Sequence, residues 1–184
     1  EIVDNCQKRP QRLFEEQELS VDECAGYLQK AISLLKSQTA ASDGSEGTLK
    51  VIITVSPIRY AKYGYHGSQL SKATLLLAAD KLVKENPGVV SYFPAYEIMN
   101  DELRDYRFYK EDMLHPSEQA VEYIWERFRA TYFGKAAELF LEDWRPIREA
   151  LGHKPFHPES EEHQKFIART EEKKRQFEEK YHLL

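Results

Sequence analysis

Asp112 and His115, separated by Met113 and Leu114 and followed at once by Pro116, form the pair of side chains in this sequence best suited to chemistry. An Asp and a His three positions apart meet on a single turn. The carboxylate then accepts from one imidazole nitrogen and leaves the other to act as a base, which is the arrangement that serves a serine nucleophile. The same D-x-x-H spacing also occurs as a cap or a solvated turn before a helix. Other groups compete less well. Ser56 precedes Pro57, a position held extended, and no glycine-flanked elbow surrounds it. Ser71 and Lys72 are adjacent rather than at S-x-x-K spacing, and a helical Lys72 is expected to point to solvent. His153, His157 and His163 invite a metal reading, but Pro155 and Pro158 break the helix that would align them, so no metal site is expected. Arg104, Asp105 and Arg107 serve one of two roles. Their guanidinium forks bind an anionic group, or they pair with Glu102 or Glu111 and pin a loop.

These residues have to be positioned by regular elements. Ser20 and Glu23 form a capping box, and Val21, Cys24, Leu28, Ala31, Leu34 and Leu35 follow at helical spacing, which predicts a helix of about 17 residues. Residues 37–47 read as an exposed loop. Residues 49–55 and 89–93 are short β-branched runs, apolar on both faces as buried parallel strands are, and residues 68–84 between them are helical. Strand, helix and strand make a βαβ unit, so the fold class is α/β with a parallel sheet. Functional groups in such sheets gather beyond the carboxyl ends of the strands, in residues 56–67 and 96–115 here. A short helix is expected near residues 96–103, and a long one opens at Pro116, with Gly134 and Pro146 as interruptions. Tyr92, Phe93, Tyr96, Tyr106, Phe108 and Tyr109 are expected mainly to close the core. From Pro158 onward the chain is almost wholly charged and reads as a helical surface appendage.

Composition excludes several classes. Hydrophobic residues make up 41% of the 184, enough for a core, and the net charge of −5 argues against binding a phosphate backbone, so no nucleic-acid partner is expected. No run reaches the ~20 apolar residues of a membrane helix. Two cysteines, Cys6 and Cys24, are too few for a disulfide framework and fit a reducing, cytoplasmic setting. Two strands alone do not make a stable domain, so either an upstream segment of the same protein or a partner is expected to complete the sheet.

Several separated blocks occur in a recognisable order: Thr54-Val55-Ser56-Pro57, Gln69-Leu70-Ser71-Lys72-Ala73, Tyr92-Phe93-Pro94-Ala95-Tyr96-Glu97-Ile98, and residues 101–109 leading into Asp112-Met113-Leu114-His115-Pro116-Ser117. With Asn5-Cys6-Gln7-Lys8, Pro10 and Phe14, they resemble the bacterial GSCFA family over most of residues 1–151. The resemblance implies an SGNH-type hydrolase domain, a flavodoxin-like three-layer α/β/α sandwich, of which residues 1–151 would be the C-terminal part and 152–184 a charged helical extension. It implies His115 as general base and Asp112 as the residue that orients it, and the place of Asn5 in the matching N-terminal block allows it to donate to a substrate oxygen; Arg104 and Arg107 are substrate-binding candidates on their guanidinium chemistry alone. The expected activity is serine-dependent hydrolysis of an acyl ester, on a small acylated molecule or an acylated glycan, without metal or organic cofactor. The Gly-Ser-Cys-Phe-Ala run that names the family does not occur in the 184 residues, so the nucleophile is expected upstream. The rival reading is a non-catalytic module that docks a protein partner through its C-terminal helices.

Overall fold

The structure is a computed structural model and describes residues 9–41, 49–155 and 159–183. It is mostly helical, with one small parallel sheet, and divides into two compact units, residues 1–124 and 125–184.

In the first unit, helix α1 (Val21–Ala41) starts where the capping box places it: the Ser20 amide donates to Glu23 Oε2 at 2.8 Å, and the Glu23 amide returns to Ser20 Oγ at 3.3 Å. The helix continues through residues 37–41, which were expected to be loop. Ser33 and Ser37 tuck their hydroxyls onto the carbonyls of Gln29 and Leu34, and Ala40 and Ala41 have the strongest intrinsic preference for helix.

Strand β1 (Val51–Thr54) and strand β2 (Val90–Phe93) pair in parallel, with Val51 opposite Val90 and Thr54 opposite Phe93. The β1 side chains alternate between half-buried and exposed, and Ile52 is 40% exposed, so this strand is covered on one face only, unlike the doubly buried strand expected. Helix α2 (Gly64–Glu85) crosses between the strands and starts a turn earlier than its apolar pattern suggests. Gly64, with φ of +76°, takes the left-handed conformation needed to turn out of the short 3-10 segment Ala61–Tyr63.

Ala25, Ile32, Ala78, Leu82 and Val90 form the core between α1, α2 and the sheet. Asn86 closes the end of α2. Its Nδ2 donates to the Leu82 carbonyl at 3.0 Å and to Gln29 Oε1 of α1 at 2.6 Å, so a buried amide is satisfied while it joins the two helices.

After β2 come a single turn, α3 (Ala95–Glu97), and a π-helical turn, Ile98–Glu102. The Asn100 side chain donates to the Tyr96 carbonyl at 2.7 Å across this widened turn, and π turns concentrate at functional sites. Met99, Leu103 and Ala120 are buried together under it, with Phe108 and Tyr109 packed against them. Helix α4 (Glu118–Tyr132) begins two residues after Pro116 and runs into the second unit.

The second unit holds the end of α4 with α5 (Lys135–Gly152), which carries Pro146 internally, and α6 (Glu161–Lys180). The charged C-terminal helix does not lie free. Phe177 is buried, and its ring meets Phe140 at 4.8 Å and Trp144 at 5.1 Å, giving α6 an apolar seam on α5. Among the described residues no helix is long and apolar enough to cross a membrane.

Candidate active site

The chain after β2 returns on itself to build the D-x-x-H bend. Tyr109 and Pro116 pair as an antiparallel bridge, the Lys110 amide donates to the His115 carbonyl at 2.8 Å, and the Ser117 amide to the Phe108 carbonyl at 2.7 Å. The bend between these ends is not the helical turn expected from the spacing. Met113 sits at φ of +60°, in the left-handed region, and Asp112 Oδ1 accepts from the amides of Leu114 at 2.8 Å and His115 at 2.9 Å. One carboxylate oxygen is thus spent on shaping the backbone. The other, Oδ2, lies 2.5 Å from His115 Nδ1.

The electrostatics follow from this division. The His115 amide, then the Leu114 amide, then the imidazole hold the Asp112 carboxyl down at about 2, so it is an anion at neutral pH. A neutral His115 facing that anion keeps its proton on Nδ1, which leaves the Nε2 lone pair available. Nε2 has no hydrogen-bond partner among the described residues, and the His115 side chain is 53% exposed. The pair can therefore take a proton from a hydroxyl brought to it from outside.

Arg59, in the loop after β1, holds this bend. Its amide donates to the Leu114 carbonyl at 3.0 Å and its Nη1 to the Met113 carbonyl at 3.1 Å. The guanidinium also lies over the rings of Tyr65 and Tyr109, at 4.7 and 5.2 Å. Arg59 thus joins the two loops beyond the strand ends, which come from distant parts of the sequence.

Arg59 also lines a cleft of about 280 Å³ beyond the carboxyl ends of β1 and β2. Lys72 of α2, Tyr96, Asn100 of the π turn and Arg104 contribute to it. Asp112 and His115 do not line it. Arg107 lies apart from the cleft as well: it shares an open surface depression with Asp112, and its amide donates to Asp105 Oδ1 at 2.9 Å. Of the arginines singled out in the sequence, Arg104 faces the cleft and Arg107 does not. Asn5 lies outside the described residues, as does His157.

Lys72 differs from expectation. Instead of pointing to solvent it is buried, with Nζ donating to the Ser56 carbonyl at 2.6 Å and lying 5.7 Å from the centre of the Tyr96 ring. Ser56 Oγ accepts from the Ile58 amide at 3.3 Å, the contact of a local turn, and Ser71 is exposed on α2. His153 and His163 both lie against the ring of Phe166. The aromatic group divides: Phe93 is in the core, whereas Tyr96, Tyr106 and Tyr109 line the cleft. Sequence reasoning missed Arg59 as a site residue, although its place just beyond a strand end was a usable signal.

Comparison with known proteins bears on the same residues. Residues 1–128 match the model of the GSCFA family, and residues 144–184 match that of the GSCFA domain protein, C-terminal domain. No curated protein and no solved structure matches the chain.

Proposed function

From the premise that this chain belongs to the GSCFA family, we propose that it carries the acid–base half of a serine-dependent acyl ester hydrolase of SGNH type. The observation that carries the reading is the 2.5 Å contact of His115 Nδ1 with Asp112 Oδ2, which leaves Nε2 of the exposed imidazole without a partner among the described residues. His115 takes the proton of a seryl hydroxyl as that oxygen attacks the ester carbonyl, and returns it to the departing alkoxide. Asp112 fixes the imidazole's tautomer and stabilises the imidazolium formed between these steps.

The serine comes from outside the 184 residues, in the family's Gly-Ser-Cys-Phe-Ala run, and the β1–α2–β2 unit is part of a three-layer α/β/α domain that this upstream segment completes. Both points draw support from the absence of that run here and from the uncovered face of β1. Asn5 as an oxyanion donor, with Arg104 and Arg107 as substrate contacts, completes the assignment. The substrate class is a small acylated molecule or an acylated glycan, and the scarcity of cysteine goes with a cytoplasmic setting. The docking-module alternative draws less support, because α6 turns its buried Phe177 onto α5 rather than outward.

The test is hydrolysis of short-chain aryl esters by the full-length protein. Loss of turnover in His115→Ala, with unchanged folding by circular dichroism, is the expected result. Full turnover in that variant would remove the assignment.

A further inference from the structure

The cleft beside the Asp112–His115 bend has an unusual balance of charge. Arg59, Lys72 and Arg104 all line it, against the single carboxylate of Asp105. That carboxylate is already engaged, accepting from the Arg107 amide at 2.9 Å. Lys72 is the most telling of the three cations. It is 7% exposed, yet its ammonium has no carboxylate partner among the described residues, only the Ser56 carbonyl and the face of Tyr96. An ammonium has three protons to donate, so two of them remain for a ligand. A buried cation without an anion is costly, and an apolar side chain of the same length would fill the site at less cost. The Arg59 guanidinium is held by the Met113 carbonyl and by aromatic rings, again with no anion among the described residues. Arg104 is exposed and has no ion pair among the described residues. Neutral polar groups surround them, Gln69, Asn100 and the hydroxyls of Tyr65, Tyr106 and Tyr109, while the Tyr96 hydroxyl already donates to Gln69 Oε1 at 2.8 Å and Asn100 Nδ2 to the Tyr96 carbonyl at 2.7 Å.

We propose that this cleft binds an oxyanion, a carboxylate or phosphate carried by a small ligand, with Lys72 as its buried charge partner and Arg59 and Arg104 as the guanidinium partners. The site itself stands on the cleft. Its identification as the recognition site for the charged end of the ester substrate rests on the hydrolase reading above. Arg59 then gives the two events a common element, since the residue facing the anion also holds the carbonyls of Met113 and Leu114. The preferred substrate is accordingly an ester with a negative charge in its acyl or alcohol part.

The full-length protein, labelled with nitrogen-15, is titrated with inorganic phosphate and separately with glutarate, at constant ionic strength balanced by sodium chloride. Saturable shifts of the amides of Gln69, Lys72, Asn100 and Arg104 are expected. Lys72→Met should weaken binding by about tenfold or more, as loss of a charge-assisted hydrogen bond does. The exposed Arg104→Gln, whose folding is not in question, should weaken it several-fold. Tighter phosphate identifies a phosphoryl ligand, and tighter glutarate a carboxylate. The proposal is overturned by the absence of saturable shifts with either anion, by equal shifts with sodium chloride alone, or by unchanged affinity in both variants.

A parallel assay separates the two readings. Rates are compared for a neutral aryl acetate and a negatively charged aryl hemisuccinate. Anion binding without hydrolysis of either ester leaves the cleft assignment standing and removes the hydrolase. Hydrolysis that His115→Ala abolishes, without preference for the charged ester and without anion binding, does the reverse.

Discussion

Arg59 Nη1 donates to the carbonyl of Met113 at 3.1 Å, while the Arg59 amide donates to the adjoining Leu114 carbonyl at 3.0 Å, so one residue beyond β1 holds both peptide units at the centre of the D-x-x-H bend. Backbone pinning of this kind matters because Met113 occupies the left-handed region, which costs a non-glycine residue about 1 kcal/mol and persists only where its surroundings enforce it. Arg59→Met keeps the amide contact and removes the side-chain one, worth about 1 kcal/mol. Amide hydrogen exchange at Leu114 and His115 should accelerate by roughly fivefold, while exchange in α1 stays unchanged. Equal protection of the bend in both proteins would show that the guanidinium does not hold it.

The Asp112 carboxyl supplies a pH dependence whose sign is fixed by its depressed value. Because folding lowers it from an ordinary 3.8 to about 2, the bend is fully anchored above pH 4 and loses that anchoring as the pH falls toward 2. The two amides outrank the imidazole among the causes, so His115→Ala should leave the carboxyl still below its ordinary value. Carbon-13 titration of the Asp112 carboxyl in both proteins checks this. A midpoint near 4 in the parent chain would contradict the amide contacts.

Asp112→Asn tests the second oxygen separately from the first. The side-chain amide oxygen can still accept from the Leu114 and His115 backbone, so the bend is retained. The amide nitrogen now faces Nδ1, which favours the proton on Nε2 and removes the base. A fall of about 10³–10⁴ in kcat with little change in KM is expected on the hydrolase reading. A fall in stability with kcat intact would make the pair a structural turn.

The positions read correctly and incorrectly in the sequence share a physical pattern. Ser20 and Glu23 announced the start of α1 because a capping box is a local exchange of hydrogen bonds, complete within four residues. The two strands were visible as β-branched runs, but the exposure of Ile52 depends on what lies over β1 and has no local sign. Asp112 and His115 do meet, although through a left-handed Met113, which methionine gives no reason to expect. Lys72 was misread for a related reason: its burial is made by the Ser56 carbonyl and the Tyr96 ring, which arrive from the ends of two different strands. The almost wholly charged run after Pro158 reads as a surface appendage because the partners of Phe177, Phe140 and Trp144, lie on another helix.

Buried amides in the first unit should carry more stability than their number suggests. Asn86 exchanges side-chain hydrogen bonds with Gln29 of α1 and adds a second donor to the Leu82 carbonyl, which keeps the Asn86 backbone amide at 3.0 Å, so Asn86→Ala leaves the Gln29 amide short of its partner at a cost of about 1–3 kcal/mol. Leu82→Ala, at a fully buried position in the same contact, should cost about 2–5 kcal/mol. Urea denaturation of both variants measures this, and losses under 0.5 kcal/mol would mean that the α1–α2 core is not packed as described.

Lys72 should reduce stability in the ligand-free protein, and its pH dependence gives the sign. Burial depresses the lysine below its ordinary 10.5, so the folded state gives up its proton more readily than the unfolded chain. In the interval between the depressed value and 10.5 the unfolded chain binds more protons, and stability attributable to this residue therefore rises with pH. Tyrosines titrate in the same range, so the quantity to follow is the stability of Lys72→Met minus that of the parent chain. That difference should be positive near neutral pH, about 1 kcal/mol, and should shrink as pH approaches 10. Methionine preserves the helix and most of the packing of the lysine stem, which isolates the ammonium as the cause. A variant less stable than the parent at neutral pH would mean that the hydrogen bond to Ser56 outweighs the cost of burying the charge, making Lys72 a structural strut between α2 and the end of β1.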